Sequence, residues 1–96
     1  MYQISIVKTV GGEVEQMPLL TMDKRAHAKR VMKEKVEFFR NALDHPTMSM
    51  VGASVEVFCE RVDGILGDGA EMIMDCVIKR PIDSPAAMVC WRQGGE

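Results

Sequence analysis

"YQISIVKTVGGEVEQMPLL", residues Tyr2 to Leu20, decides the architecture. Its first half alternates like a strand, with Tyr2, Ile4 and Ile6 on one face. Gly11-Gly12 supplies the positive φ that a two-residue primed turn requires. A register built on that turn sets Val10 opposite Glu13, Lys8 opposite Glu15, Ile6 opposite Met17 and Ile4 opposite Leu19. The apolar pairs then share one face and end in an ion pair. Pro18 donates no ladder hydrogen bond, which makes the second strand an edge.

The next stretch, "TMDKRAHAKRVMKEKVEFFRNALDHP", reads as a helix from an N-cap at Thr21 to about Leu43. Asp23 adds negative charge near its start, where the helix dipole favours it. His45-Pro46 ends it, because a residue before proline is pushed out of the helical region. Ala28, Val31, Met32, Val36, Phe38, Phe39, Ala42 and Leu43 fall on one arc, so the helix is expected to pack through Val31, Met32, Phe38 and Phe39. Lys35 lies inside this arc and is expected to snorkel or to face an acid.

Beyond the helix, Met48 to Val62 alternates again, with Val51, Ala53, Val55, Val57 and Cys59 on one face. The loop DGILGDG, Asp63 to Gly69, is turn chemistry. Glu71 to Lys79 returns with Met72, Met74, Cys76 and Ile78 inward and Ile73, Asp75, Val77 and Lys79 outward. Two registers fit this second hairpin. Ser84-Pro85 resembles an N-cap followed by a first-turn proline, which predicts a short helix over about 85–93. The run AMVCW can also be read as a strand. The expectation is an α+β fold: two β-hairpins form an antiparallel sheet, and one long amphipathic helix crosses one face. It is a single domain over 1–93 with a frayed tail at 94–96.

The totals limit function. The chain has 96 residues, 47% of them hydrophobic and 27% charged, with net charge −2. Such a composition is that of a globular domain with one core. Three cysteines at unpaired spacing argue against a disulfide framework and for a reducing, cytoplasmic setting. No apolar run reaches membrane-spanning length, and the N-terminus lacks the basic start of a signal peptide. His27, His45, Cys59, Cys76 and Cys90 lack metal-ligand spacing, and no nucleotide-binding or catalytic motif is present. No metal, cofactor or catalytic residue is expected.

Charge is polarised along the chain. Half of the 12 Lys and Arg lie at Lys24, Arg25, Lys29, Arg30, Lys33 and Lys35. With Glu34, Glu37 and Asp44 interleaved on the exposed side, these read as a solvated helix face, and i,i+4 pairs Arg30–Glu34 and Lys33–Glu37 are expected. Lys24, Arg25, Lys29, Arg30 and Lys33 carry the alternative reading, a nucleic-acid grip; the pI of about 5.7 argues against it. Acids dominate the hairpins, where Glu56, Glu60 and Asp75 flank Phe58, Ile73 and Val77 on the outer face of the second one. Apolar side chains ringed by acids fit a protein interface that engages a basic surface on a partner. A homodimer burying the same patch is the competing account. A thiol enzyme built on Cys90 ranks third.

In kind, this small, acidic, methionine-rich chain without catalytic motifs resembles phage or mobile-element accessory proteins that inhibit host machinery, anti-CRISPR proteins among them. No residue is carried over from that likeness. It implies a non-enzymatic protein-binding module.

Overall fold

The computed structural model describes residues 1–45, 51–62 and 70–95. The loop at 63–69, Met48, Met50 and the last residue, on which parts of the sequence reading fell, lie outside them. The elements run β1 (Tyr2–Val10), β2 (Glu13–Met22), α1 (Arg25–Asp44), β3 (Ser54–Arg61), β4 (Glu71–Lys79) and β5 (Met88–Gln93). The five strands form one antiparallel sheet in the order β2-β1-β3-β4-β5, with α1 packed on one face. This is the α+β architecture read from the sequence, enlarged by one strand.

The first hairpin forms as its turn dictates. Gly11 and Gly12 adopt φ of 60° and 84°, a conformation that L side chains rarely take. Val10 pairs with Glu13, Lys8 with Glu15 and Ile6 with Met17, and Lys8 Nζ lies 3.8 Å from Glu15. Beyond Ile6 the expected register fails by one residue. Ile4 faces Leu20 instead of Leu19, because the ladder shifts between Ile4 and Ser5. Pro18 lies on an edge strand, as its missing donor requires.

That shift lengthens β2 at the expense of the helix. Thr21 and Met22 pair with Gln3 and Tyr2, and the Met22 side chain is buried in the core. Thr21 is therefore a strand residue and does not cap α1. The N-cap is Lys24, with extended backbone and no side-chain cap, and Asp23 precedes the first turn. Cross-strand pairing plus burial of Met22 outweighs a cap contribution of about 1 kcal/mol. The other end is as expected. His45 takes an extended ψ of 137° ahead of Pro46. Arg80 donates to the carbonyls of Leu43 at 3.0 Å and His45 at 2.5 Å, a cation at the negative end of the helix dipole.

The core lies between α1 and the sheet. Ala28, Val31, Met32, Val36 and Leu43 meet Ile4, Ile6, Val55, Val57, Cys59, Met74, Cys76 and Ile78. Phe39 is partly buried against this cluster. Phe38 is 64% exposed, which corrects the expectation that it packs inward. It occupies the margin of the apolar arc on the side of the β1–β2 tip, where α1 stands off from the sheet. Its ring instead meets that of Phe39 edge-on, with centroids 5.2 Å apart. Among the described residues Glu37 pairs with Arg40 at 3.0 Å and not with Lys33, and Arg30 and Glu34 form no pair.

Two further corrections come from the second half of the chain. Residues 88–93 are a strand, not a helix. Ser84 Oγ bonds within its own turn, accepting from Ala86 N at 3.4 Å, and so starts no helix. Ala87 N donates to Asp44 at the end of α1, which delivers the chain to the open edge of β4. In β4 the ladder shifts between Cys59 and Glu60: Cys59 pairs with Met74 and Glu60 with Met72, leaving Ile73 as the extra residue. The bulge turns Ile73 into the helix-side core and leaves Met72 exposed, the reverse of plain alternation.

Candidate protein interface

Two surfaces are candidates. The first is the sheet face away from α1, where the sequence reading had placed the interface. Alternation along the described strands brings Glu56, Phe58, Asp75 and Val77 there, with Ser5, Val7, Cys90 and Arg92. Glu60 lies on the same strand beside the bulge. Ile73 is not part of this face, for the reason just given.

Phe58 is 6% exposed, so the expectation of an exposed aromatic is corrected. It belongs to β3, the central strand, and is flanked directly by Ser5 in β1 and Asp75 in β4. Directly opposed side chains on a sheet face lie close enough to shield one another. Ser5 and Asp75 are buried with it.

Asp75 is held by Arg92, whose Nη2 lies 2.6 Å from Oδ2 and also bonds Glu56. Arg92 reaches both acids because the β4–β5 ladder shifts between Asp75 and Cys76, making Arg92 the extra residue in β5. Asp75 Oδ1 is buried and has no partner among the described residues. Partial burial raises the Glu56 carboxyl above its usual 4.5, the neighbouring Asp75 raises it further, and Arg92 opposes both. Arg92 itself is raised, chiefly by Asp75. What this face presents to solvent is thus a cluster of two acids sharing one arginine, plus Glu60, Val77 and Cys90. The sequence groups the acids but not Arg92, because residues 85–93 can be read from it as a short helix or as a strand. No local signal marks Arg92, because its reach depends on the ladder shift beside it.

The cluster predicts a pH signature for Arg92→Met. Glu56 has a raised folded-state pKa, so its ionisation weakens folding as pH rises through that value. Removing Arg92 raises it further and strands Asp75. Thermal melts should therefore show a clear fall in Tm at neutral pH that shrinks near pH ~4, where Glu56 takes up its proton. An equal fall at both pH values would contradict the pairing.

The cysteines separate cleanly. Burial pushes Cys59 and Cys76 up to about 11, with Glu60 and Asp75 respectively adding to the shift. Cys90 is exposed. Native, dilute protein near neutral pH should label rapidly at Cys90 alone, while Cys59 and Cys76 react only after unfolding. A thiol titration before and after denaturant checks this.

The second candidate surface is a cleft of about 830 Å³ between the β1–β2 tip and the C-terminal half of α1. Val10, Val14, Phe38, Phe39, Ala42, Leu43 and Val55 line it, and Lys8, Glu13 and Glu15 stand at its rim. Val14, 68% exposed, and Phe38, 64% exposed, both contribute to its lining. The basic side chains Lys24, Arg25, Lys29, Arg30 and Lys33 are all exposed at the opposite, N-terminal end of α1. No described helix is long and apolar enough to cross a membrane. Among the described residues no three His, Cys, Asp or Glu converge as a metal site. No family model, curated protein or solved structure matches this chain.

Proposed function

We propose that this chain is a non-enzymatic protein-binding module that receives an apolar segment of a partner protein in the cleft between the β1–β2 tip and α1. The observation that carries it is Phe38, an aromatic 64% exposed on the wall of an apolar cleft, where its exposure contributes nothing to the core. Lys8 pairs with Glu15, which leaves Glu13 as the rim charge with no ion-pair partner among the described residues. A basic residue beside the apolar anchor complements it. An inhibitor of host machinery, of the phage or mobile-element kind, would use such a surface to occlude its target.

The test is Phe38→Asp. The variant should keep the wild-type circular dichroism and melting curve, since the side chain is solvent-facing. Its affinity for the partner, identified by co-purification and then measured with purified components, should fall at least about tenfold, the loss of a central anchor. Unchanged affinity would remove the cleft from consideration. Tight duplex binding with a steep salt dependence, lost on replacing Lys29 and Lys33, would favour the nucleic-acid reading instead.

A further inference from the structure

We infer that the groove between α1 and β5 binds an extended acidic segment of another protein, which joins the sheet as a further strand along the β5 edge. The two edges of the sheet are built differently. β2 is protected: it carries Pro18, Glu13 and Glu15 and an irregular register between Ile4 and Ser5. Proline, charge and bulges are the features that prevent edge pairing. β5 has no proline and no charged side chain along Met88–Trp91, and among the described strands it pairs only with β4. Its outer row of backbone N–H and C=O groups can therefore take another strand. Arg92 is turned back onto Glu56 and Asp75 and does not guard the edge.

The flank of α1 beside this edge defines the occupant. Arg25 and Lys29 line a hollow of about 190 Å³ with Ile73, Met74 and Gly94. Further along the helix, Lys33 and Arg40 line a second one of about 360 Å³ with Val36, Glu37, Val89 and Trp91. The helix thus follows β5 in the opposite direction, with cations along the groove. Glu37 neutralises Arg40 at 3.0 Å. Arg25, Lys29 and Lys33 are exposed and form no ion pair among the described residues. The groove is left with positive charge above the apolar Val89 and Trp91. A second copy of this chain is a poor match, because its β5, MVCWRQ, carries no acid and its Lys33 would add like charge. An acidic strand matches in spacing as well as in sign. Lys29 and Lys33 are separated by about 6 Å along the helix axis. Successive side chains on one face of a strand are about 6.6–6.8 Å apart. Two acids at alternate positions therefore reach both lysines, and an apolar residue at the next same-face position lies against Val89 and Trp91. Nucleic-acid phosphates could meet the same cations but would leave the β5 ladder unpaired, which favours a polypeptide.

The groove lies at the opposite sheet edge from the β1–β2 cleft, so this inference and the proposed function stand or fall separately. Trp91 is the chain's single tryptophan and reports on the groove directly. The probe is the end-blocked peptide Thr-Val-Thr-Glu-Thr-Glu-Thr-Val-Thr, which carries valine and glutamate on one strand face. It should shift the Trp91 emission with a Kd on the order of tens of micromolar. The same peptide with lysine for glutamate should bind at least about tenfold more weakly. So should the glutamate peptide when Lys29→Glu and Lys33→Glu are combined in the protein, with an unchanged circular dichroism spectrum. Alternate amides of a strand point to opposite sides, so N-methylating one alternate set in the peptide should abolish binding and N-methylating the other should not. Phe38→Asp should bind the peptide like the wild type. No emission change up to about 1 mM peptide overturns the inference. Equal binding of the lysine peptide does too. Equal binding of both N-methylated peptides also overturns it, because charge attraction without strand pairing would then be the whole effect. So does a single-stranded oligonucleotide that displaces the peptide at far lower concentration in physiological salt, since the groove would then be a nucleic-acid site.

Discussion

Phe58→Ala is expected to destabilise the fold by about 3–5 kcal/mol, the usual range for deleting a buried aromatic ring. For a domain whose total stability is of the order of 5–15 kcal/mol, that is a large fraction. The reasoning rests on position. Phe58 is on the face that α1 does not cover, yet only 6% of it is exposed. It belongs to the middle strand of five, with Ser5 and Asp75 directly beside it and Arg92 bridging the acids that flank it. Removing the ring leaves a void walled on one side by a buried carboxylate, which a small relaxation fills with water or leaves empty. Phe38→Ala is the internal control: same residue type, same change, but a largely exposed side chain, with an expected effect under about 1 kcal/mol. Urea titration of both variants makes the comparison. Equal small effects would show Phe58 to be a surface residue after all, and would restore the open face as the leading candidate for partner contact.

The contrast between the two phenylalanines shows where the sequence was informative. The first hairpin was legible because its determinants are local: Gly11-Gly12 sets the turn and the alternation sets the register up to Ile6. The helix was legible from its period, and most of its arc packs as that period requires. Phe38 was misplaced because periodicity gives the direction of a side chain and not the distance to the opposing layer. The three ladder shifts, at Ile4/Ser5, Cys59/Glu60 and Asp75/Cys76, were not legible at all. A bulge is one extra residue whose site is chosen by packing across strands, and no local composition marks these. Each had a consequence: Leu20 replaced Leu19, Ile73 turned inward, and Arg92 reached the two acids. β5 stays open between strand and short helix in the sequence for a related reason. Val89 and Trp91 favour a strand while Ser84-Pro85 looks like a helix start, so the local signals conflict, and the ladder offered by β4 decides the conformation. The candidate interface was therefore half legible: Glu56, Phe58, Asp75 and Val77 do come together, but their shielding depends on a strand and an arginine that only the tertiary structure brings in.

Met32→Ala tests the other layer of the molecule, with an expected loss of about 2–5 kcal/mol. Met32 is fully buried, one of the largest side chains in the structure with no solvent contact, and it projects from α1 into the cluster formed with Ile4, Val57, Cys59 and Cys76. Among the described residues a single helix covers this sheet, and none of the other described elements lies on that face to fill what Met32 vacates. The helix is tied at its C-terminal end by Arg80 and by the Asp44–Ala87 hydrogen bond, which limits its freedom to settle onto the sheet. Both constraints push the expected loss toward the upper part of the range, because the cost of a cavity depends on how far its walls can collapse. Met32→Leu, which nearly conserves volume, should cost less than about 1.5 kcal/mol. If alanine and leucine prove equally mild, the helix is free to re-seat itself, and the standing gap between α1 and the β1–β2 tip is then a property of a mobile layer. If alanine is severe and leucine mild, the layer is rigid, and the cleft beside Phe38 and Val14 is a preformed shape that a partner meets without reorganising the fold.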